Sequence, residues 1–351
     1  MSNISTSYRP RKHGPKIVAI GGGHGLSNIL RGLKLYTENI TAIVTVADDG
    51  GGSGVLRQDL GMPPPGDIRN CLEALANAEP LVSELLHFRF REGNLAGQSF
   101  GNLFLAAVNE ISPSFDVAVS RMSEILAITG RVLPVTNADV QLEAIFENGE
   151  RVLGESKIFR AKKEQNCRVQ QVRLLPEHPP ALPAALAAIR DADMIVLGPG
   201  SLYTSVIPNL LVDGIVEAIT QSDALKVYIC NVMTQEGETE GYTAADHCRA
   251  IFQHSVPGLF DICFTNSSPI PKGIVARYAA EGAEPIVCDR EECEKLGVEI
   301  ISRRISTVDN SYVRHNPGHL ARELILLHAE RSVRVVGDEF NFVSDSYHIE
   351  S

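Results

Sequence analysis

ITAIVTVADDGGGSG, residues 40–54, joins an apolar, β-branched run to two adjacent acids and a cluster of glycines. ITAIVTVA (40–47) reads as a strand buried on both faces, because β-branched side chains suit a pleated surface and no polar alternation interrupts them. Asp48 and Asp49 repel each other, and Gly50, Gly51, Gly52 and Gly54 cost backbone entropy. A turn that tolerates both points to a ligand. Glycines let successive N–H groups converge on an anion, with the carboxylates at the rim of the cradle. There Asp48 and Asp49 can hold Mg²⁺ shared with a diphosphate, or accept ribose hydroxyls. In the plainer alternative the acids cap the next helix and the glycines form a loop.

The same arrangement recurs along the chain. KIVAI (16–20), DMIVLG (193–198), KVYICNVM (226–233) and DICFT (261–265) are further apolar strands. LSNILRGLKLY (26–36), IRNCLEALANA (68–78), NLFLAAVNEI (102–111), PNLLVDGIVEAITQS and GHLARELILLHAERS have helical periodicity. Apolar strands alternating with amphipathic helices predict an α/β fold with a mostly parallel sheet covered on both faces. Residues 139–175 break this rhythm. VQLEAIF and ERVL flank ENG, a hairpin signal, so a small β-rich excursion is expected beside the main sheet. The expected organisation is a tail over 1–14, one α/β domain over 15–337, and a closing tail over 338–351.

The chain has 351 residues, 44% hydrophobic and 21% charged, ordinary values for a globular protein. Its net charge of −11 argues against non-specific nucleic-acid binding, which needs a basic surface. No apolar stretch approaches the roughly 20 residues of a membrane helix. MSNISTSYRPRKHG is basic but lacks the apolar core of a signal peptide, so a cytoplasmic location is expected. The seven cysteines form no CxxC pair and read as buried reduced thiols. Pro317 between His315 and His319 spoils a helical ligand face, and no structural zinc site is expected.

The polar motifs gather at predicted strand ends, where open parallel sheets bind ligands. GGGHG (21–25) follows the first strand and opens a helix. It fails the dinucleotide fingerprint, because Leu26 or Asn28 stands where the third glycine belongs. The backbone at Gly22, Gly23 and Gly25 still suits an anion, and His24 is either a phosphate contact or a loop residue. Gly51 and Gly54 belong to the second cradle. Asp67 and Asn102 stand at helix starts, each a cap or a crevice contact, and Arg69 can also face the crevice. GPGSLYTS (198–205) resembles a second anion loop, offering Gly200, Ser201 and Tyr203; no GxSxG elbow is present. Asn231 ends the VYIC run, and TNSS (265–268) follows DICF.

GGGHGLSNILRGL, ITAIVTVADDGGGSG, PPPGDIRNCL, GPGSLYTSVIPNLLV, KVYICNVMTQEGETEGYTAADH and VRHNP together resemble the gluconeogenesis factor (YvcK-like) family, from about Lys16 to about Ala329. That family is related to the 2-phospho-L-lactate transferase (CofD-like) enzymes. The resemblance implies a Rossmann-like three-layer αβα fold, binding of UDP-sugars such as UDP-N-acetylglucosamine, and a link to cell shape and wall synthesis during gluconeogenic growth. It implies ligand contacts at Tyr278, in GIVARYAAEGAEP, and Arg314, in YVRHNP. It leaves room for a cell-wall enzyme as partner and for a homo-oligomer. Two positions depart from the family pattern, His24 for the usual Thr and Gly52 for a Ser. The reading leans to a ligand-binding regulator with no catalytic residue. The alternatives are a phosphate-linked transferase of the 2-phospho-L-lactate type, with Mg²⁺ on Asp48 and Asp49, and an NAD-dependent oxidoreductase, which the failed fingerprint weakens.

Overall fold

The structure is a computed structural model that describes residues 14–77, 79–165 and 167–345. Seven strands form one parallel sheet: β1 (Ile17–Gly21), β2 (Ile40–Val44), β3 (Arg131–Pro134), β7 (Met194–Leu197), β8 (Leu225–Ile229), β9 (Ile262–Asn266) and β10 (Glu299–Arg303). Between β3 and β7 the chain makes β4 (Gln141–Phe146), β5 (Arg151–Leu153) and β6 (Val169–Leu175), an antiparallel sheet of its own. The main order is β10-β9-β8-β7-β1-β2-β3. Every residue of β1, β2 and β7 is buried, as strands covered on both faces require. The layering is αβα, as expected.

Strand order decides where a ligand can enter. From β1 the chain steps outward through β2 to β3, then returns to β1's other side with β7 and steps the opposite way to β10. The two helical connections leaving β1 and β7 therefore diverge, and a crevice opens between them at the strands' carboxyl ends. Helix α1 (Gly23–Leu33) follows β1, α2 (Gly51–Leu60) follows β2, and α3 (Gly66–Leu75) comes next. The first starts three residues earlier than its apolar pattern indicates, so Gly23, His24 and Gly25 form its opening turn. Likewise, α2 begins within the glycine cluster.

The excursion contains the expected β4–β5 hairpin, turned at Gly149 with φ +85°. It also contains a helix, Glu155–Gln165, where the sequence reading saw only strand and loop. Gly154, at φ +108°, ends β5 and admits that helix. A second hairpin, β11 (Ser306–Asp309) with β12 (Tyr312–His315), was not anticipated. Its signal is Asn310–Ser311 between alternating residues, and both adopt positive φ.

Of the tail expected over 1–14, all but Gly14 lies outside the described residues. The boundary expected at 337/338 falls inside the final helix, Pro317–Asp345, because no glycine or proline after Gly337 stops it. Residues 346–351 lie outside the description. No described helix is long and apolar enough to cross a membrane. Cys71, Cys230, Cys248, Cys263 and Cys293 are buried as expected, whereas Cys167 is half-buried and Cys288 is exposed.

The final helix lies against α1. At Gly32 the two approach so closely that a methyl group would overlap the Pro317 carbonyl, with the Ala321 methyl 3.0 Å away. Gly32→Ala should therefore lower stability by about 1–3 kcal/mol through overpacking, although alanine is the better helix former. Urea denaturation measures this; a midpoint at or above the wild-type value would show that the helices part easily.

Candidate functional site

Three linked concavities run along the carboxyl ends of β1, β7, β8 and β9. The first, about 310 Å³, is walled by Gly22, Gly23, Asp48, Asp67, Glu155 and Thr204, among others. The second, about 260 Å³, shares His24, Gly25, Gly200 and Ser201 with it and adds Asn28, Gln235 and Arg314. The third, about 200 Å³, shares Asn231 and Val232 with the second and adds Asn266, Ser268, Ile270, Val275 and Ile286. A larger hollow of about 660 Å³ opens at the other end of the sheet, near Lys16, Asn39 and Arg131, and contains none of the glycine loops.

The α1 N-terminus already faces a carboxyl group. The Gly23 N–H donates to the Asp67 carboxylate, and a Cβ on Gly22 would stand 2.7 Å from Asp67 Oδ2. Asp67 thus sits in the first turn of α3 and against the first turn of α1, where both helix dipoles favour negative charge. Burial, then the neighbouring Asp48 charge, nevertheless raises its pKa to about 7.

The adjacent acids of the second loop diverge. Asp48 faces the first concavity; its Oδ1 accepts from the Gly50 N–H at 2.8 Å and Ser53 also donates to it, which holds the turn before α2. Burial raises its pKa. Asp49 points away. Its Oδ1 accepts from the Ser156 N–H at 2.7 Å, in the first turn of the Glu155–Gln165 helix. Asp49, a possible metal ligand by sequence, thus has Oδ1 engaged at the start of that helix and lies outside the lining of the three concavities.

Glu155, with no motif to announce it, is the third carboxylate of this cavity. Burial, then Asp48, raises its pKa to about 7, while a hydrogen bond from Thr204 opposes the shift. His24 lines both the first and second concavities, and its pKa is lowered by partial burial, then by Arg314 and Arg69.

Other expected contacts stand elsewhere. Tyr203 is buried, its hydroxyl 2.9 Å from that of Tyr242. The Tyr203 and Thr204 N–H groups, expected to meet an anion, both donate to the Glu238 carboxylate at 2.6 and 3.2 Å. From GPGSLYTS the concavities keep Pro199, Gly200, Ser201, Thr204 and Ser205, and Glu238 holds the loop through its backbone amides. Asn102 is buried; its Oδ1 accepts from Arg69 Nε at 2.9 Å and its N–H donates to Ser99. Asn102 lines none of the three concavities. Gly51 and Gly54 line none of the three concavities. A Cβ on Gly54 would overlap the Asp49 carbonyl, so this glycine serves close packing within the loop. Gly25 has the same constraint against the Pro199 carbonyl.

Arg314 projects from β12 into the second concavity. Its strand is pinned on both sides: the Val313 N–H donates to Tyr278 Oη at 2.9 Å, and His315 Nε2 lies 3.2 Å from the Cys230 carbonyl. Burial lowers the His315 pKa to about 4, leaving the ring neutral. Tyr278 lies outside the lining of the three concavities and reaches the crevice through this bond. Asn266, at the end of β9, lines the third concavity; its strand-end position carried the signal, in TNSS.

The chain matches the model of the 2-phospho-L-lactate transferase CofD family over residues 17–306. It is 53% identical over 313 residues to a putative gluconeogenesis factor of Thermoanaerobacterium thermosulfurigenes, covering 89% of this chain and 97% of that one. It is 51% identical over 312 residues to the gluconeogenesis factor of Bacillus subtilis, again covering 89% and 97%. A crystal structure of a Bacillus halodurans protein, 49% identical, superposes with a TM-score of 0.86 over 89% of this chain and 99% of that one.

Asp67 and Glu155 keep their protons in the folded chain where the unfolded chain, with ordinary values of 3.8 and 4.5, has lost them. Stability therefore falls as pH rises from about 4 to about 7 and is level beyond. Asp67→Asn removes one of these groups and can still accept from Gly23. The empty variant should gain on the order of 1 kcal/mol over wild type at pH 8, after allowance for solvent screening, and nothing at pH 4. Thermal melts across that range test this; an offset independent of pH would disprove the assignment.

Proposed function

We propose that this chain, which belongs to the 2-phospho-L-lactate transferase CofD family and within it to the gluconeogenesis factors, is a regulator that binds a UDP-sugar, UDP-N-acetylglucosamine foremost. In this reading it acts from the cytoplasm on cell shape and wall synthesis during gluconeogenic growth. The observation that carries the reading is the crevice's composition along its length. One end is rich in acceptors, the middle offers Gly25, Gly200, Ser201 and Arg314, and the far end sets amides and hydroxyls among apolar walls. A nucleotide sugar presents those needs in sequence: hydroxyl donors, a diphosphate, and a flat heterocycle with polar edges.

Arg314 supplies a planar guanidinium to the diphosphate, and paired charge-assisted hydrogen bonds suit that geometry. Tyr278 contributes by holding the Val313 amide and hence the strand that aims Arg314. Asp48 and Asp67 have the hard oxygen chemistry of an Mg²⁺ pair. Among described residues no group of three His, Cys, Asp or Glu is placed to hold a metal alone. The two therefore fit Mg²⁺ only in company with ligand phosphate oxygens, the usual habit of that ion. When bound, it would neutralise diphosphate charge.

A second reading, the phosphate-linked transferase, is favoured by Asp67 and Glu155. Both exchange protons near pH 7 at the acid-lined end of the crevice, as acid–base groups in transfer must.

Calorimetric titration with UDP-N-acetylglucosamine, GDP and NAD, each with and without Mg²⁺, tests the main reading. The nucleotide sugar should bind most tightly, and Arg314→Ala should weaken it about 10- to 100-fold, the worth of a charged hydrogen bond. Binding of NAD alone would overturn the reading, and turnover of a lactyl diphospho-nucleotide would replace it with the second.

A further inference from the structure

We infer that Glu155 contacts the sugar of the bound nucleotide sugar, and that Asp49 is the positioning residue that sets it there. The inference rests on the nucleotide-sugar reading and adds the direction in which the ligand lies. The sugar points to the acid-lined end beneath the Glu155–Gln165 helix, and the base points to the end at Asn266.

The order of the concavities gives the direction. The first and second share the glycine turn and Ser201; the second and third share Asn231. A diphosphate in the middle therefore leaves one ligand arm for each end. The Asn266 end has apolar walls at Ile270, Val275 and Ile286, which suit the faces of a planar base, and amides for its edges. The opposite end presents the carboxylates Asp48, Asp67 and Glu155. Carboxylates accept hydrogen bonds, and sugar hydroxyls and an acetamido N–H supply donors.

Glu155 differs in origin from the other two acids. Asp48 and Asp67 belong to the loops that build the sheet end, whereas Glu155 comes from the excursion, outside the main sheet. One contact carries it across. Asp49 Oδ1 accepts from the Ser156 N–H at 2.7 Å, and Gly154 lies so close that a Cβ there would overlap Asp49 Oδ2. This bond fixes the first turn of the helix on the rim of the crevice, and Glu155 in that turn is directed to Thr204. The adjacent acids of the glycine loop thus divide their work: Asp48 walls the cavity, and Asp49 holds the element that brings its third wall.

The test compares the affinities of UDP-N-acetylglucosamine and UDP in the full chain. Glu155→Ala should weaken the sugar nucleotide about 10- to 100-fold and leave UDP within about threefold, because only the former reaches the acid-lined end. Asp49→Ala should reproduce that split without adding to it in the double variant, since both act through one contact. Asp49→Asn keeps an acceptor for Ser156 and should restore near-normal affinity. Melting temperatures of the empty variants verify that each is folded. Equal loss for UDP and the sugar nucleotide, or no loss for either, would overturn the role of Glu155 while the nucleotide-sugar reading stands. A loss in Asp49→Asn as deep as in Asp49→Ala would remove Asp49 as a positioning residue. A wild-type chain that binds neither ligand refutes the underlying reading, and this inference with it.

Discussion

The contact between the Asp67 carboxylate and the Gly23 N–H is the point to which the rest of the crevice is fitted. It joins the start of α3 to the start of α1, so two helix dipoles converge on one oxygen-lined spot. For that to happen the backbone between β1 and α1 must pass close to a side chain, and only glycine at position 22 leaves the room. Gly25 then lets the same turn lie on the Pro199 carbonyl, which brings the β7 loop alongside. The glycines of GGGHG thus answer first to protein neighbours, and the ligand meets a surface those contacts have shaped.

This explains how far the residues alone could be read. The strands were legible because both-face burial demands uninterrupted apolar runs, and the strand-end rule located the crevice from the motifs that follow them. Individual roles were less legible. Glycines needed for close packing, such as Gly54, look the same in sequence as glycines that approach a ligand. Tyr203 sits in a glycine-rich loop yet is consumed by Tyr242, and the loop's amides by Glu238, which is 35 residues from Tyr203 in the chain. Glu155 left no trace, because its relevance depends on a contact with Asp49 that spans 107 residues. Resemblance pointed to Tyr278 and Arg314, and the geometry separates them: the arginine lines the crevice, and the tyrosine holds the arginine's strand.

The edges of the sheet are guarded in a way that fits this division. At β10, Glu299 pairs with Arg331 and Arg303 with Glu323, 3.2 Å apart, both partners coming from the final helix. Charged, occupied edge residues discourage pairing with another chain. Such exposed pairs add little stability individually. Their value lies in keeping the last strand of the sheet committed to this fold.

The switch between β1 and β7 has a consequence for the order in which the molecule is made. The parallel pairing of β1 with β2 joins segments close in sequence, while β1 must wait for Met194–Leu197 to gain its other neighbour. Arg314 and the helix that seats against Gly32 come later still. A ribosome releases the acids of the crevice long before Arg314. The acid-lined part of the crevice is therefore made well before the strand that carries Arg314. Contacts of such long sequence separation form slowly. The three concavities are complete only once segments from Gly22 to His315 have come together.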